Sequence, residues 1–157
     1  MVSVPRRAAA WTLLRMFALV LVVGSCGGET AVGPDEDLDF LVGDWDATRF
    51  VVQSKANPEV APDLIGGLGA QFFMNVQPSE QYTATLVFQA SPIIEIGLLE
   101  VDGNDVIFHV NVPSPATNRS RYTLFAGGMT LEGDTEFAFI PGGEPEAAFA
   151  TIDLKKR

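Results

Sequence analysis

The residue types that most often do chemistry in enzymes are scarce in this sequence. There is one cysteine, Cys26, and one histidine, His109, in 157 residues. A lone cysteine cannot form an internal disulfide, and a lone histidine leaves no histidine pair to hold a metal ion. The 20 acidic residues are plentiful, but no spacing pairs two of them at a reacting centre. The sequence therefore predicts no enzyme, no catalytic residue, no metal and no cofactor.

The segment that precedes Cys26 has the pattern of an export signal. Residues 1–15 carry three arginines and no acid, and residues 16–23 (MFALVLVV) form an uninterrupted apolar run. A basic start, a short apolar run and small residues before a break are typical of a secretory signal peptide. A retained membrane span is the weaker alternative, because a spanning helix needs about 20 apolar residues and Arg15 interrupts this run. We expect residues 1–25 to be removed.

Val23-Gly24-Ser25-Cys26 resembles the bacterial lipobox, in which an aliphatic residue and two small residues precede an invariant cysteine. The resemblance implies that diacylglycerol is attached to the Cys26 thiol, that the chain is cut after Ser25, and that the new amino group receives an acyl chain such as palmitate. Gly27 is not the aspartate associated with retention at the inner membrane. The implied location is the bacterial cell envelope, at the outer membrane if the source has one. The alternative is an ordinary signal with a coincidental cysteine, which would leave a free thiol in an oxidising compartment.

Residues 26–39 are predicted to be a flexible acidic tether behind the lipidated cysteine. The stretch from Gly27 to Asp39 contains glycines, a proline, five acids and no base, so it cannot bury enough apolar surface to order itself. Alternating Asp35, Asp37 and Asp39 resemble the start of a calcium loop. The glycine that such a loop needs at its sixth position is Phe40 here, so a solvated linker is favoured.

The charge of the exported chain limits its partners. All acidic residues follow Cys26, whereas three arginines precede it, so removal of residues 1–25 takes the net charge from −10 to −13. A surface of this charge repels nucleic acid and anionic lipid headgroups. We expect no nucleic-acid partner and a membrane contact made through the lipid on Cys26. The sequence indicates no particular protein partner.

From Leu41 onward, apolar and polar residues alternate with a period of two, which predicts β-strands. Short turn segments rich in glycine, proline and aspartate separate the runs, so neighbouring strands are expected to pair antiparallel. The range 55–69 is expected to be a loop, with one helical turn from Asp63 as the alternative. The predicted strands are 45–53, 70–77, 81–89, 93–101, 105–112, 121–126, 129–132 with an extension through 139, and 147–155.

About eight strands in an up-and-down meander can close into a barrel. Closure removes exposed strand edges and leaves an interior that is either filled by side chains or holds one small ligand. We therefore predict an all-β antiparallel barrel over residues 40–157, with a two-sheet β-sandwich as the alternative.

Leu41-Val42-Gly43-Asp44-Trp45, at the start of the first predicted strand, resembles the Gly-x-Trp start of lipocalins and of bacterial lipocalin-like lipoproteins. The resemblance implies that Trp45 closes the floor of the barrel beneath a basic residue of the last strand, and Lys156 is the candidate. It also implies a barrel that binds a small apolar or amphipathic ligand. The alternative is a filled core in a non-enzymatic envelope protein that acts through surface contacts.

Two charged residues are candidates for a ligand anchor inside the barrel. Arg49 is in phase with Trp45, and Glu95 lies between two isoleucines. The hypothesis is that they bind a ligand carboxylate or phosphate. The alternative for Arg49 is a β-bulge that turns Phe50 and Val52 inward and leaves the guanidinium in solvent. His109 lies opposite the apolar face of its strand and is expected at the surface.

Overall fold

The chain forms a closed eight-stranded antiparallel barrel. The computed structural model describes residues 38–157, which begin with a short 3-10 helix, Leu38–Phe40. Each strand pairs with the next along the chain, and β8 pairs back with β1. The predicted up-and-down barrel is confirmed, and the β-sandwich is excluded. The strands are β1 Gly43–Ser54, β2 Gln71–Val76, β3 Gln81–Phe88, β4 Ser91–Asp102, β5 Asp105–Val112, β6 Ala116–Phe125, β7 Gly128–Phe137 and β8 Glu146–Lys156.

The alternating residues of β3 and β5 face the interior as predicted. Tyr82 and Ala84 of β3 are buried, as are Val106 and Val110 of β5. The bounds of β5 agree with the sequence prediction at both ends. Strict alternation thus located the strands that pack against a continuous apolar interior.

β6 is longer than the apolar pattern indicated, and β7 includes most of its predicted extension. β6 begins at Ala116 rather than at residue 121, and β7 continues to Phe137, within the extension predicted through residue 139. The added part of β6 contains Asn118 and Ser120, and the added part of β7 contains Gly133 and Thr135; all four line an internal cavity. Because their inward residues are polar or small, these half-strands lack the apolar alternation that marks a packed strand.

The turn between β3 and β4 is a tight hairpin at Gln89 and Ala90. Both residues have positive φ angles, 52° and 62°. Two consecutive positive φ angles define a turn that matches the twist of paired strands and usually contains asparagine or glycine. Gln89-Ala90 carries no such signal, so the sequence placed the start of β4 at residue 93 instead of Ser91.

The segment between β1 and β2 folds over one end of the barrel as an irregular loop. Asp63 forms an isolated bridge with Val51, and its Oδ1 accepts the amide hydrogens of Ile65 and Gly66 at 3.0 and 3.1 Å. Leu64 is 2% exposed and packs into the barrel end. Gly67 N donates to the Asp63 carbonyl at 2.9 Å and Gly69 N to the Ile65 carbonyl at 3.2 Å, the spacing of a helical turn. The predicted loop is therefore present, and it includes the helical turn from Asp63 that was the alternative.

Two apolar clusters lie toward the two ends of the barrel. The floor cluster surrounds Trp45 and Leu41, with Leu38 and Phe40 of the 3-10 helix packed against it. The top cluster contains Phe50, Leu64 and other residues near the end of β1. Within residues 38–157, no helix has the length and apolar character that a membrane span requires.

Candidate functional site

Trp45 closes the floor of the barrel. Its side chain is 3% exposed, and its indole Nε1 donates a hydrogen bond to the Leu41 carbonyl at 2.8 Å. Trp45 pairs across the β1–β8 ladder with Lys156, whose Nζ lies 5.4 Å from the indole centroid. Gly43 has a φ of 132°, and a Cβ there would lie 2.8 Å from Lys156 Cε. Lys156 therefore lies against both Gly43 and Trp45 at this end of the barrel. We assign the three residues a structural role.

Replacement of Lys156 by methionine is expected to lower the free energy of unfolding by about 0.5 to 1 kcal/mol, the contribution of an exposed cation over an aromatic face. Methionine retains an apolar stem over the indole and removes only the charge. Urea denaturation followed by circular dichroism measures the change. Lys155→Met, at the neighbouring exposed position, is the matched control, and equal losses in the two variants would contradict a specific contact with Trp45.

Arg49 lies outside the barrel and does not line its interior. The β1–β8 register shifts between Ala47 and Arg49, so an extra residue is inserted and the following side chains change face. Phe50 and Val52 are buried, whereas the Arg49 side chain is 49% exposed and lies 3.4 Å from Asp153. The bulge that was the alternative for Arg49 is therefore present. The hypothesis that Arg49 anchors a ligand inside the barrel is wrong, because the guanidinium does not line the cavity.

A cavity of about 350 Å³ occupies the upper half of the barrel. Its position follows from the size of the inward residues, since Ala84 and Ala150 leave space between larger neighbours. The wall is mainly apolar, with one acidic side chain near its centre and polar side chains toward the rim. The apolar wall residues include Phe50, Phe72, Met74, Leu86, Ile93, Phe108, Leu131 and Ile152.

Glu95 projects into this cavity from β4. The Tyr82 hydroxyl donates a hydrogen bond to Glu95 Oε1 at 2.5 Å. Tyr82 is 1% exposed, and its ring packs edge-on against Phe108 with the centroids 5.2 Å apart. The strand places Glu95 inside because Ile94 and Ile96 point outward, 45% and 42% exposed. One fixed phenol thus orients an interior carboxyl group.

The surroundings of Glu95 favour its neutral form. Burial raises the pKa of the Glu95 carboxyl above its ordinary value of 4.5, and the hydrogen bond from Tyr82 opposes this rise only in part. Burial and the adjacent carboxyl also raise the pKa of the Tyr82 phenol, which therefore remains a hydrogen-bond donor.

The raised pKa of Glu95 predicts a pH-dependent difference between the wild type and Glu95→Gln. Well below pH 4.5 the carboxyl is protonated in both the folded and the unfolded chain, so its ionisation does not lower the free energy of unfolding. As pH rises, the carboxyl of the unfolded chain ionises first, and the free energy of unfolding falls. The fall ends once the pH has passed the pKa of the folded state. The wild type should therefore lose stability relative to Glu95→Gln as pH rises above 4.5.

Urea denaturation of both proteins at a series of pH values measures this difference. Glu100→Gln, the same substitution at an outward position of β4, controls for the change in net charge. A difference between wild type and Glu95→Gln that is constant with pH would contradict the raised pKa.

The ionisable residues that line the cavity are all acidic. Besides Glu95, they are Asp134 and Glu136, both on β7 near the rim. Asp134 forms an ion pair with Lys55 at 2.7 Å, with the Asp134 side chain 67% exposed. No lysine, arginine or histidine is part of the cavity wall in the described residues. The cavity therefore offers hydrogen-bond acceptors and negative charge to a bound molecule.

The other candidate residues lie away from this cavity. His109 is on the outer surface, with Nε2 2.9 Å from Glu100 Oε2. Residues 38–157 contain no group of three histidine, cysteine, aspartate or glutamate side chains arranged to hold a metal. Cys26, the signal peptide 1–25 and most of the tether 26–39 fall outside the described residues.

The sequence places Glu95 among the candidates but does not reveal its neighbours in the cavity. The predicted strand 81–89 contains Tyr82 without indicating a polar role, and Asn118 and Ser120 fall between the predicted strands 105–112 and 121–126. A signal was present, because a tyrosine in phase with Ala84 and Leu86 carries a hydroxyl that needs a partner when it is buried. The partner itself is set by the β3–β4 register, in which Tyr82 lies opposite Gly97 and Glu95 opposite Ala84.

Comparison with known proteins found no match: no protein-family model, no curated protein and no solved structure is significantly similar to this chain.

Proposed function

We propose that this chain is a lipoprotein of the bacterial cell envelope whose lipocalin-like barrel binds a small apolar or amphipathic molecule. The observation that carries the binding role is the cavity of about 350 Å³ with a mainly apolar wall. Small-molecule sites commonly have volumes of about 300 to 1,000 Å³ and combine apolar walls with a few polar groups. The proposal assigns the protein a binding role and no reaction.

An internal space of this size supports binding because an eight-stranded barrel does not require one. The interior of such a barrel is just wide enough for side chains to fill. Here Ala84 and Ala150 stand where larger side chains would close the gap. Empty apolar space forfeits packing energy, and a ligand that fills it recovers that energy.

Native mass spectrometry of the full chain, extracted in detergent from its own membranes, tests the binding role. We expect an added mass corresponding to a small molecule retained on the folded protein. Leu131→Trp, which places a larger ring on the cavity wall, should lose that mass. The binding role is contradicted if the wild type retains no small molecule and soaking with apolar probes adds none.

The envelope location is supported by the signal-like segment and the lipobox-like residues before Cys26. Cys26→Ser is expected to remain at precursor mass and to carry no lipid, because the hydroxyl does not replace the thiol as the acceptor. Ser25→Ala keeps a small residue at the cut and should mature as the wild type does. Intact-mass measurement of the membrane fraction distinguishes these products, and maturation of Cys26→Ser to wild-type mass would overturn the proposed anchor.

A second candidate function, a non-enzymatic envelope protein that acts through surface contacts, is favoured by one feature of the barrel exterior. Ile94, Ile96, Leu98 and Val112 form an apolar patch on β4 and β5, each between 41% and 46% exposed. Exposed apolar patches often mark contacts between proteins. If this patch binds a protein partner, Ile96→Thr should abolish the chemical cross-link that the wild type forms with that partner in intact cells. The small molecule retained in the barrel should be unchanged.

A further inference from the structure

We propose that the cavity selects molecules that join an apolar body to an amine, and that the ammonium group of such a ligand binds the Glu95 carboxylate. This inference rests on the proposed binding role and adds the chemical class of the ligand. It reverses the expectation that the barrel would anchor a carboxylate or phosphate.

The first observation is that Glu95 has an oxygen open to the cavity. Oε1 accepts the Tyr82 hydroxyl hydrogen at 2.5 Å, and Tyr82 is the hydrogen-bond partner of Glu95 among residues 38–157. Every buried side-chain oxygen or nitrogen in this part of the chain has a hydrogen-bond partner. Tyr82 bonds to Oε1, so Oε2, which has no such partner here, is not buried in protein. Since Glu95 lines the cavity, Oε2 is placed to accept a hydrogen bond from a bound molecule.

The second observation is the sign of charge around the cavity. Its ionisable wall residues are Glu95, Asp134 and Glu136, and Arg49 lies on the outside of the barrel. Lys55 pairs with Asp134 at the rim and does not belong to the wall. A bound carboxylate would meet like charge with no cation from the wall to offset it, whereas a bound ammonium would meet opposite charge.

The third observation is that the carboxyl group and the apolar wall belong to one continuous space. Phe72, Leu86 and Phe108 line the same cavity as Glu95. A small ion alone would leave these apolar side chains without a contact, and an uncharged hydrocarbon would leave the Glu95 carboxyl unpaired. A molecule that joins an apolar body to an amine contacts the apolar wall and pairs with Glu95.

The energetics of the unliganded barrel agree with this assignment. Burial without a nearby cation raises the pKa of Glu95. A ligand ammonium within hydrogen-bond distance would supply the missing opposite charge and favour the ionised carboxyl. Hydrogen bonds between ionised partners are also stronger than those between neutral groups.

Three probes with the same hydrocarbon chain test the selection: octylamine, 1-octanol and octanoate. The full chain is placed in phosphatidylcholine nanodiscs with its methionine methyl groups labelled, and each probe is titrated while the methyl resonances are followed by NMR. Met74 lines the cavity, whereas Met129 is fully buried and does not belong to its wall. A shift of the Met74 signal therefore reports binding in the cavity.

We expect octylamine to bind at least about tenfold more tightly than 1-octanol or octanoate, as a charge-assisted hydrogen bond allows. Glu95→Gln should abolish that preference and leave the affinity for 1-octanol within about twofold. Glu100→Gln removes a carboxylate from the outer face of the same strand and should keep the preference for the amine.

Each remaining result overturns a specific statement. If 1-octanol or octanoate binds as tightly as octylamine, or if Glu95→Gln retains the amine preference, the amine assignment is wrong while the binding role stands. If none of the three probes moves the Met74 signal, both the amine assignment and the binding role are wrong.

Discussion

Replacement of Trp45 by alanine is expected to lower the free energy of unfolding by about 3 to 5 kcal/mol, as for other large aromatic residues in packed cores. Trp45 is 3% exposed and belongs to the floor cluster together with Leu41, Met74 and Leu154. Alanine removes most of that contact area and leaves a space that β-strands tied into a closed ladder cannot collapse to fill.

The loss from Trp45→Ala also includes a hydrogen bond. The indole Nε1 donates to the Leu41 carbonyl, which lies between the 3-10 helix and β1. Without it, the segment that covers the floor loses its connection to the first strand. Trp45→Phe separates the two contributions, because it retains a ring but removes the donor, and it should cost about 1 kcal/mol from the hydrogen bond in addition to a smaller packing loss.

Urea denaturation followed by circular dichroism measures both variants. Typical domains have a free energy of unfolding of only about 5 to 15 kcal/mol in total, so the expected loss is a large part of it. A loss below about 1 kcal/mol for Trp45→Ala would show that the floor does not depend on this side chain. If the phenylalanine and alanine variants are equally unstable, the hydrogen bond dominates and the packing argument is wrong.

Gly97→Ala is expected to be the most damaging small substitution in β4. A Cβ at this position would overlap the backbone carbonyl oxygen of His109 on β5 and would lie 2.9 Å from Cε1 of Tyr82. The β4–β5 register shifts between Ile96 and Gly97, so the two backbones approach closely at this bulge. Backbone atoms cannot give way as a flexible side chain can, and we expect a loss of about 3 kcal/mol or more.

Gly142→Ala is the control for the general cost of replacing glycine. Gly142 has a φ of 77°, and nothing lies within 4 Å of a Cβ added there. Its substitution should cost about 1 kcal/mol through backbone strain alone. Thermal unfolding of both variants makes the comparison, and a Gly97→Ala protein as stable as Gly142→Ala would refute the close approach of β4 and β5.

Gly97→Ala should also disturb the cavity. The ring of Tyr82 is the nearest side chain to the added methyl group, and its hydroxyl holds Glu95. A shift of that ring would move the carboxyl group that we propose as the ligand-binding acceptor. The Met74 resonance used as the binding reporter should therefore differ between Gly97→Ala and the wild type even without a probe.

The strands whose inward side chains are apolar could be predicted from the sequence. In β3 and β5, apolar side chains recur at every second residue, and this alternation persists where Leu86 and Phe108 line the cavity. The floor could be anticipated only from the resemblance of the Gly-x-Trp start to lipocalins, which implies that a basic residue of the last strand covers Trp45.

The cavity could not be predicted in the same way. Inward positions around an internal space need not be apolar, so residues 116–120 lack the alternation of a packed strand although they belong to β6. The bulge that turns Arg49 outward is one inserted residue, which the sequence leaves as an alternative and the pairing of β1 with β8 decides. Both features depend on contacts between distant parts of the chain, which appear only once the barrel is closed.

The described residues, 38–157, begin and end at the same end of the barrel. The 3-10 helix Leu38–Phe40 covers the floor, and β8 finishes beside Trp45 at Lys156, whereas the cavity opens near Pro113 and Glu136 at the other end. Leu38 and the cavity opening are therefore separated by the length of the barrel. A ligand would enter and leave at the end opposite the Trp45 floor.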